Sequence, residues 1–142
     1  MIPAIPKRFM LDIVTPDRPI LHEEVDEVEI PGEQGYLGVL PGHTPLLAAL
    51  QVGVLWYRRG QTTSYLAIAY GFAEILPDRV TILAQIAERA EQIDPARAEA
   101  ARKRAEDRLS RPTGEMDFER ARIAMMKALV RLQVASRGRT RA

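Results

Sequence analysis

The chain has 142 residues, of which 46% are hydrophobic and 27% are charged, with a net charge of +1 at pH 7. This length supplies one sizeable core and suits one or two small domains. Cysteine is absent, which excludes disulfides, thiolate nucleophiles and cysteine-based zinc sites. No run reaches the about 20 apolar residues of a membrane span, and the apolar stretch in MIPAIPKRF is too short to predict a signal peptide.

Charge and turn-forming residues divide the chain into two unequal parts. Residues 1–87 carry six basic and ten acidic side chains, whereas residues 88–142 carry fourteen basic and nine acidic ones. Seven of the nine glycines and eight of the ten prolines also lie in the first part. This asymmetry predicts two domains, 1–87 and 88–142, the second with a surface suited to an acidic partner.

The first part has the alternation of apolar and polar residues that is typical of β-strands. The alternating apolar positions are Phe9, Leu11 and Ile13, then Val28 and Ile30, then Val80, Ile82 and Ala84. Arg59-Gly60 and Pro77-Asp78 separate such runs as hairpin turns. Short strands with turns every 8–12 residues predict an antiparallel β-sandwich or flattened barrel.

After Gln85 the pattern becomes helical. Asp94 followed by Pro95 predicts a helix start, with the aspartate as cap and proline at the first helical position. SRPTGEM (110–116) breaks this helix, and Asp117 is predicted to cap a second one. The apolar positions at 3–4 spacing are Ala98, Ala101, Ala105 and Leu109 in the first helix, and Phe118, Ala121, Met125, Ala128, Leu129, Leu132 and Ala135 in the second.

Two such helices joined by a short loop predict an antiparallel hairpin, so the fold class is α+β: a strand domain followed by a helical hairpin. An alanine-rich stripe allows close approach of the helices but buries little area. The hairpin is therefore expected to be weakly held and able to detach. The tail SRGRTRA (136–142) is predicted to be disordered.

Catalysis by this chain alone is not predicted. The sequence contains two histidines, three serines, no GxSxG motif and no GxxxxGK phosphate loop. HEEVDE (22–27) is rich in carboxylates, but successive strand residues point to opposite faces, which favours a solvated strand over a metal site. No metal site and no required cofactor are expected.

The basic second part leaves three interpretations open. Acidic residues alternate with the basic ones, which fits a solvated helix face with i,i+4 ion pairs. The same surface fits an acidic protein partner. Nucleic-acid binding is the alternative from another functional class, but Phe118 is the only aromatic residue after Tyr70 and Phe72, and single-strand binders interleave stacking residues with basic ones.

The segment GYLGVLPGHTPLLAAL (35–50) contains Gly35, Gly38, Pro41 and Gly42 between short apolar runs. Pro41-Gly42 fits the central pair of a type II turn, which predicts a rigid, exposed bend that carries His43 between two strands. LGVLPGHTPLL and GFAEILPDRVTILA (71–84) closely resemble the ε subunits of bacterial F-type ATP synthases. The resemblance extends from about Met10 to Ala135.

This resemblance implies a non-catalytic subunit that lies on the cytoplasmic side of the bacterial inner membrane without inserting into it. Its sandwich would pack on the γ subunit and on the c-ring of the rotary motor. The matching contact residues are Gly35, Tyr36, Pro41, Gly42 and His43. Tyr36 stands where some relatives carry a carboxylate, so a charged contact with the ring is not implied there.

In this family the helical hairpin is a regulatory arm that blocks rotation in the direction of hydrolysis when it extends along γ. The resemblance implies contact between its basic residues and an acidic segment of the catalytic β subunits in the α/β head. The residues concerned are Arg102, Lys103, Arg108 and Arg111.

IDPARA (93–98) matches the I/L-D-x-x-R-A pattern with which some relatives bind one regulatory ATP in the folded-down state. The positions that match that site are Glu88, Asp94, Arg97, Arg104, Lys127 and Arg131. Lys127 replaces an arginine of the ATP binders, and an ammonium lacks the bidentate fork of a guanidinium. A structural interpretation also stands, in which Asp94 is only a helix cap and Arg97 a surface residue.

Overall fold

The computed structural model describes residues 4–111 and 113–140, without the side chains of 139 and 140. Eight strands are followed by a single 3-10 turn, Ala90–Gln92, and two helices, α1 (Pro95–Ser110) and α2 (Glu115–Thr140). The strands are β1 (Phe9–Val14), β2 (Pro19–Val25), β3 (Glu27–Gly32), β4 (Gly35–Val39), β5 (Leu46–Leu50), β6 (Gly53–Arg59), β7 (Thr62–Ile75) and β8 (Arg79–Arg89). The α+β class, with a strand domain and a helical hairpin, is confirmed.

The strands pair in the order β2-β1-β8-β7-β5-β3-β4, and β6 joins β3 to β7. All pairs are antiparallel except β1 and β8, which are parallel. The predicted antiparallel sandwich is therefore confirmed, with one parallel pair that the sequence did not predict. A parallel pair needs a crossover connection, and here the six intervening strands provide it.

The alternation read from the sequence defines the core correctly. Every alternating apolar position named above, from Phe9 to Ala84, is buried. The two predicted hairpin turns also lie between strands, with Gly60 at a φ of 62° directly after β6. The hydrophobic effect thus places one face of each of these strands inward, and the turns follow from glycine and proline.

Strands β7 and β8 change their inward face halfway along. Before the change Leu66 and Ile68 face the core, and after it Ala73 and Ile75 do, although the register between the two strands is continuous. Tyr70 and Gly71 at the junction have φ values of 59° and 118°. A Cβ on Gly71 would lie 1.9 Å from the Leu83 carbonyl oxygen, so only glycine fits where the strand turns over.

The helices begin and end differently from the prediction in two places. Asp94 caps α1 as predicted, accepting hydrogen bonds from the amides of Ala96 (3.0 Å) and Arg97 (3.3 Å). However, α2 begins at Glu115, so Asp117 lies in its first turn rather than before it. Helix α2 also continues to Thr140, which contradicts the predicted disorder of 136–140; residues 141 and 142 lie outside the described residues.

The two helices meet through alanines. Ala98 and Ala105 of α1 and Ala121 and Ala128 of α2 are all at most 4% exposed. The prediction of a narrow alanine contact is therefore confirmed. Phe118 and Leu129, predicted in the same stripe, are instead 42% and 46% exposed, because α2 turns its alanine face toward α1.

The hairpin rests on the outside of the sandwich over a small apolar cluster of its own. This seam contains Ile93, Val134 and Ala135 packed on Ala67, with Val54, Tyr65, Ala90 and Val130 around them. The main core inside the sandwich is a separate cluster. The strands and the helices therefore have distinct cores joined by a seam.

Candidate functional site

The five residues that the resemblance assigns to partner contact lie along one edge of the sandwich. Among the described residues, strand β4 pairs only with β3, so no described strand covers its other edge. Gly35 and Tyr36 open this strand, and Pro41, Gly42 and His43 follow its end. The five residues of β4, which separate its start from the turn, correspond to roughly 15 Å of extended chain. The structure therefore arranges these residues as an elongated edge with two ends rather than as one compact patch.

At one end of this edge, Tyr36 is held against the start of β6. Its hydroxyl accepts a hydrogen bond from the Val54 amide at 3.1 Å. A Cβ on Gly53 would lie 2.6 Å from the same hydroxyl, so the glycine allows the phenol to approach the backbone. The Tyr36 side chain is fixed and still 53% exposed.

At the other end, the Pro41–His43 turn is tied to the neighbouring strand connection. Gly42 has a φ of 85°, as the predicted type II turn requires. Its amide donates to the Pro77 carbonyl oxygen at 2.8 Å. The His43 Nδ1 lies 2.6 Å from the carbonyl oxygen of Thr44. The turn is therefore held by a hydrogen bond to the β7–β8 connection and by the contact between His43 and Thr44.

An apolar surface that the sequence did not predict lies on the outside of β5, β7 and β8. Phe72 and Leu83 are direct cross-strand neighbours, and Leu47 lies on the same face of the adjoining strand. All three are more than half exposed. We call Leu47, Phe72 and Leu83 the outer apolar face. Clustered exposed apolar side chains of this kind mark protein interaction surfaces.

Five of the six residues assigned to ATP line one cavity of about 330 Å³. It opens between the end of β8, the start of α1 and the middle of α2. Those five residues are Glu88, Asp94, Arg97, Arg104 and Arg131. The cavity thus brings three guanidinium groups and two carboxylates from three elements to one place.

The charges of this cavity are only partly neutralised. Arg131 donates from Nε to a Glu88 carboxylate oxygen at 2.6 Å, and Asp94 is occupied by the helix cap. Within the described part of the chain, Arg97 and Arg104 form no ion pair. Two exposed, unpaired guanidinium groups beside a third favour an anionic ligand with several oxygens.

Lys127 lies outside the lining of this cavity. It borders a neighbouring recess together with Glu88 and Arg131, one helical turn from Arg131. Its Nζ lies 5.8 Å from the centre of the Tyr70 ring, which is within the range of a cation–π contact. Lys127 therefore lies beside Glu88 and Arg131 but outside the cavity that the five residues line, and a ligand would have to draw its ammonium away from Tyr70.

The four basic residues assigned to an inhibitory contact all lie on or directly after α1, but two of them are already paired. Arg102 bonds to Glu99 at 2.7 Å and to Glu106 at 2.7 Å. Arg108 bonds to Asp117 at 3.0 Å, across the hairpin loop. The Arg108 guanidinium lowers the pKa of Asp117. Lys103 and Arg111 are exposed, and within the described residues 4–111 and 113–140 neither is in an ion pair.

The acidic segment HEEVDE (22–27) is used within the fold. His22 contacts Asp12 on the neighbouring strand. Asp26 accepts from the Gly60 amide at 2.5 Å and from Arg8 Nε at 2.9 Å. The Gly60 amide, followed by Arg8, lowers the pKa of Asp26. These partners are 18 to 34 residues away from Asp26, a separation for which the sequence has no local signal.

Two further features bear on function. Among the residues described, no group of three or more histidine, aspartate or glutamate side chains is placed to hold a metal ion. Neither α1 nor α2 combines the length and apolar character that crossing a membrane requires.

Comparison with known proteins agrees with this architecture in both parts. Residues 8–90 match the family described as ATP synthase, Delta/Epsilon chain, beta-sandwich domain, and residues 91–136 match the long alpha-helix domain of the same chain. The ATP synthase epsilon chain of Syntrophobacter fumaroxidans is 50% identical over 131 residues, which cover 92% of this chain and 98% of that one. The epsilon chain of Bacillus velezensis is 46% identical over 129 residues, covering 91% and 98%.

A solved structure has the same fold. A chain of the mitochondrial ATP synthase of Euglena gracilis, determined as an OSCP/F1/c-ring assembly, superposes with a TM-score of 0.82 at 27% identity. The match covers 94% of this chain and 84% of that chain. Since both family domains match in order and relatives align over almost their whole length, this chain belongs to the delta/epsilon chain family of ATP synthases.

Proposed function

We propose that this chain is a non-catalytic subunit of the central stalk of an F-type ATP synthase. It couples proton-driven rotation of the c-ring to ATP synthesis in the catalytic head, and its helices restrain ATP hydrolysis. The observation that carries this proposal is the separation of the strand core from the helical seam. A stiff domain suits torque transmission, and a separately packed hairpin suits a movable arm.

The sandwich carries the proposed contact with the rotor. The outer apolar face fits the γ subunit, because exposed apolar side chains lose contact with water when a protein partner covers them. The β4 edge and the Pro41–His43 turn fit the loops of the c-ring. Both ends of this edge are fixed by hydrogen bonds, so little rotational energy would be lost in bending them.

Site-specific crosslinking tests this contact in the assembled enzyme. A photo-reactive phenylalanine analogue is placed at Tyr36, at His43 and, as a control, at Gln61 in the exposed turn between β6 and β7. Crosslinks to γ or to the c subunit are expected from the first two positions and not from the control. Absence of both products at Tyr36 and His43, with the enzyme assembled, would refute the assignment.

The hairpin is the proposed regulatory arm. Lys103 and Arg111 have no ion-pair partner in the described ranges 4–111 and 113–140, so they are available to acidic groups on the α/β head. Arg102 and Arg108 contribute only if their internal pairs break. The inhibitory contact is therefore expected to be screened by salt.

A lock on the docked hairpin tests this role with the whole chain present. The chain has no cysteine, so Glu88→Cys and Arg131→Cys can be bridged by a short bis-maleimide before assembly. The bridged chain should support high ATP hydrolysis, because the arm cannot extend. The unbridged double variant is the control. Equal inhibition by the bridged and unbridged chains would contradict a role for arm extension.

The cavity beside Arg97 is the proposed site of one regulatory ATP. The two unpaired guanidinium groups match phosphate oxygens in charge and geometry. Because the cavity is formed jointly by β8, α1 and α2, a ligand there favours the docked hairpin. At a concentration of 100 times Kd, such a ligand stabilises the docked state by about 2.7 kcal/mol.

Thermal unfolding with MgATP tests this site. The melting temperature should rise by several degrees in the natural chain, whereas Arg97→Ala should abolish the rise. Arg120→Ala, an exposed position on α2 away from the cavity, is the matched control and should keep it. An unchanged MgATP shift in Arg97→Ala would rule out this site, and no shift in the natural chain would rule out ATP as its ligand.

The proposed location is the cytoplasmic side of the bacterial inner membrane. Contact with the membrane would be made through the c-ring and γ rather than directly. Pull-down of the native protein should recover γ with the c-ring. Recovery of nuclease-sensitive nucleic acid in their place would favour the alternative function.

A further inference from the structure

The last turn of α2 extends beyond the part of the chain that the family description matches. That match ends at residue 136, whereas the helix continues to Thr140. Arg137 and Gly138 therefore belong to a helical extension that the family resemblance does not explain. Both residues contact the sandwich side of the molecule.

Gly138 touches the 3-10 turn that links the strands to the helices. A Cβ built on Gly138 would lie 2.4 Å from the Cβ of Ala90, far inside the contact distance of two methyl groups. The helix backbone thus passes directly over Ala90. Any larger residue at 138 would push α2 away from this turn.

The backbone itself does not require glycine at this position. Gly138 has no positive φ, and the helix continues for two more residues, so it is not a C-terminal cap. Glycine within a helix is unfavourable compared with alanine because it loses more conformational entropy. The close approach to Ala90 offers a packing explanation for glycine at this position, because a Cβ there would overlap the Ala90 Cβ.

Arg137 supplies a second contact. Its guanidinium carbon lies 5.1 Å from the centre of the Tyr65 ring on β7, within the range of a cation–π contact. Tyr65 and Ala90 also border the seam that buries Val134 and Ala135. The contacts of 137 and 138 therefore continue the seam along α2 beyond its buried residues.

We propose that Arg137 and Gly138 form a latch that holds the hairpin docked on the sandwich. The latch depends on the close approach of Gly138 to Ala90, which a larger residue at position 138 would prevent. The latch sets how readily the arm is released. Docking of the hairpin is a property of the free chain, so the latch itself does not depend on the proposed function. Only its expected effect on ATP hydrolysis rests on that function.

Whether Gly138→Ala strengthens or weakens docking of the hairpin distinguishes the latch from an ordinary helix end. If Gly138 made no specific contact, Gly138→Ala would strengthen α2, by about fivefold in the local helix equilibrium. With the latch, the added methyl group overlaps Ala90, and overpacking of this kind is destabilising. We expect the ratio of docked to undocked hairpin to fall by about tenfold.

The measurement is a distance distribution between spin labels at Gln61→Cys and Gln133→Cys, two exposed positions on the sandwich and on α2. The full chain carries Gly138→Ala, the control Ser136→Ala, or the compensated pair Ala90→Gly with Gly138→Ala. The single variant should gain a long-distance population. The control and the compensated pair should keep the short distance. Tyr65→Leu should reduce docking by a factor of about two to five.

Two results would overturn the latch. One is docking in Gly138→Ala that equals or exceeds that of the natural chain. The other is failure of Ala90→Gly to restore docking, which would remove the steric explanation. If Gly138→Ala undocks the hairpin in the free chain but leaves hydrolysis by the assembled enzyme unchanged, the latch stands and the regulatory role fails.

Discussion

The sandwich and the helical hairpin both bury apolar side chains, but the side chains differ in size. The sandwich core is built from residues such as Phe9, Leu11, Leu55 and Ile82, all at most 2% exposed. The hairpin contact consists of alanines, and its seam on the sandwich contains only a few larger residues. Burying a Leu or Phe side chain contributes about 1.5–3 kcal/mol, whereas a methyl group contributes about 0.8 kcal/mol.

This difference indicates how one short chain can contain a rigid and a movable part. Cohesion within the strands is high because large side chains interlock from several strands. Docking of the hairpin depends on a small area and on a few polar contacts, among them the ion pair between Arg131 and Glu88. Regions held by little buried area open at lower free energy than the core.

The largest effect is expected from a cavity in the strand core. Leu55→Ala removes a side chain that is 0% exposed and should reduce the free energy of unfolding by about 2–5 kcal/mol. Because strands from the whole domain share this core, the loss should appear in every strand. Urea unfolding followed by tryptophan fluorescence and by far-ultraviolet circular dichroism measures it. A loss of stability confined to the helices would contradict the claim that the sandwich core holds the strands together more strongly than the seam holds the hairpin.

The next effect is a local one at the seam. Val134→Ala removes two buried methyl groups and should weaken docking of the hairpin by about 1–2 kcal/mol. Amide hydrogen exchange should then accelerate in α2 while β1 and β8 keep their protection. Gln133→Ala, the exposed neighbour, is the matched control. Faster exchange in the sandwich strands as well would show that the two regions unfold together.

Asp26 provides a test of the polar contacts at the end of the sandwich. The pKa of Asp26 is lowered in the folded chain, chiefly by the Gly60 amide and then by Arg8. Its contribution to stability is therefore present above the ordinary aspartate pKa of about 3.9 and is lost as the pH falls through the lower folded value. Asp26→Asn should be less stable than the natural chain at pH 7, by a difference that shrinks below about pH 4.

Urea unfolding at a series of pH values measures this difference. Asp17→Asn, in the turn between β1 and β2, is the control and should show no comparable difference at neutral pH. If the difference in free energy of unfolding between Asp26→Asn and the natural chain stays constant down to pH 3, the negative charge of Asp26 is not what stabilises the fold.

The parts of the structure that local chemistry determines were predictable. Alternation defined the inward residues of β1, β3 and β8, and Asp94-Pro95 defined the start of α1. Asp117 misled for a physical reason: its side chain bonds to Arg108, while the Phe118 amide donates to the Gly114 carbonyl oxygen and starts α2 earlier.

Features that depend on distant contacts were not predictable. The reversal of inward faces coincides with the positive φ values of Tyr70 and Gly71, and Gly71 was its only signal in the sequence. The Asp26 contacts join segments that are far apart in the chain. The family resemblance assigned six residues to ATP, and five of them line one cavity. The sixth, Lys127, lies outside that lining with its ammonium over the Tyr70 ring, and its role in ATP binding stays a prediction.

The smallest effect on stability is expected at the outer apolar face. Phe72 is 54% exposed and pairs across strands with Leu83, so Phe72→Ser should lower the free energy of unfolding of the free chain by only about 0.2–1 kcal/mol. The same change should weaken assembly with γ, since an exposed aromatic that a partner covers contributes to binding without supporting the fold. Titration of γ with each variant, with Gln61→Ser as control, measures the difference. If Phe72→Ser binds γ as tightly as the natural chain, or loses much of its free energy of unfolding, Phe72 supports the sandwich itself and is not a contact residue for γ.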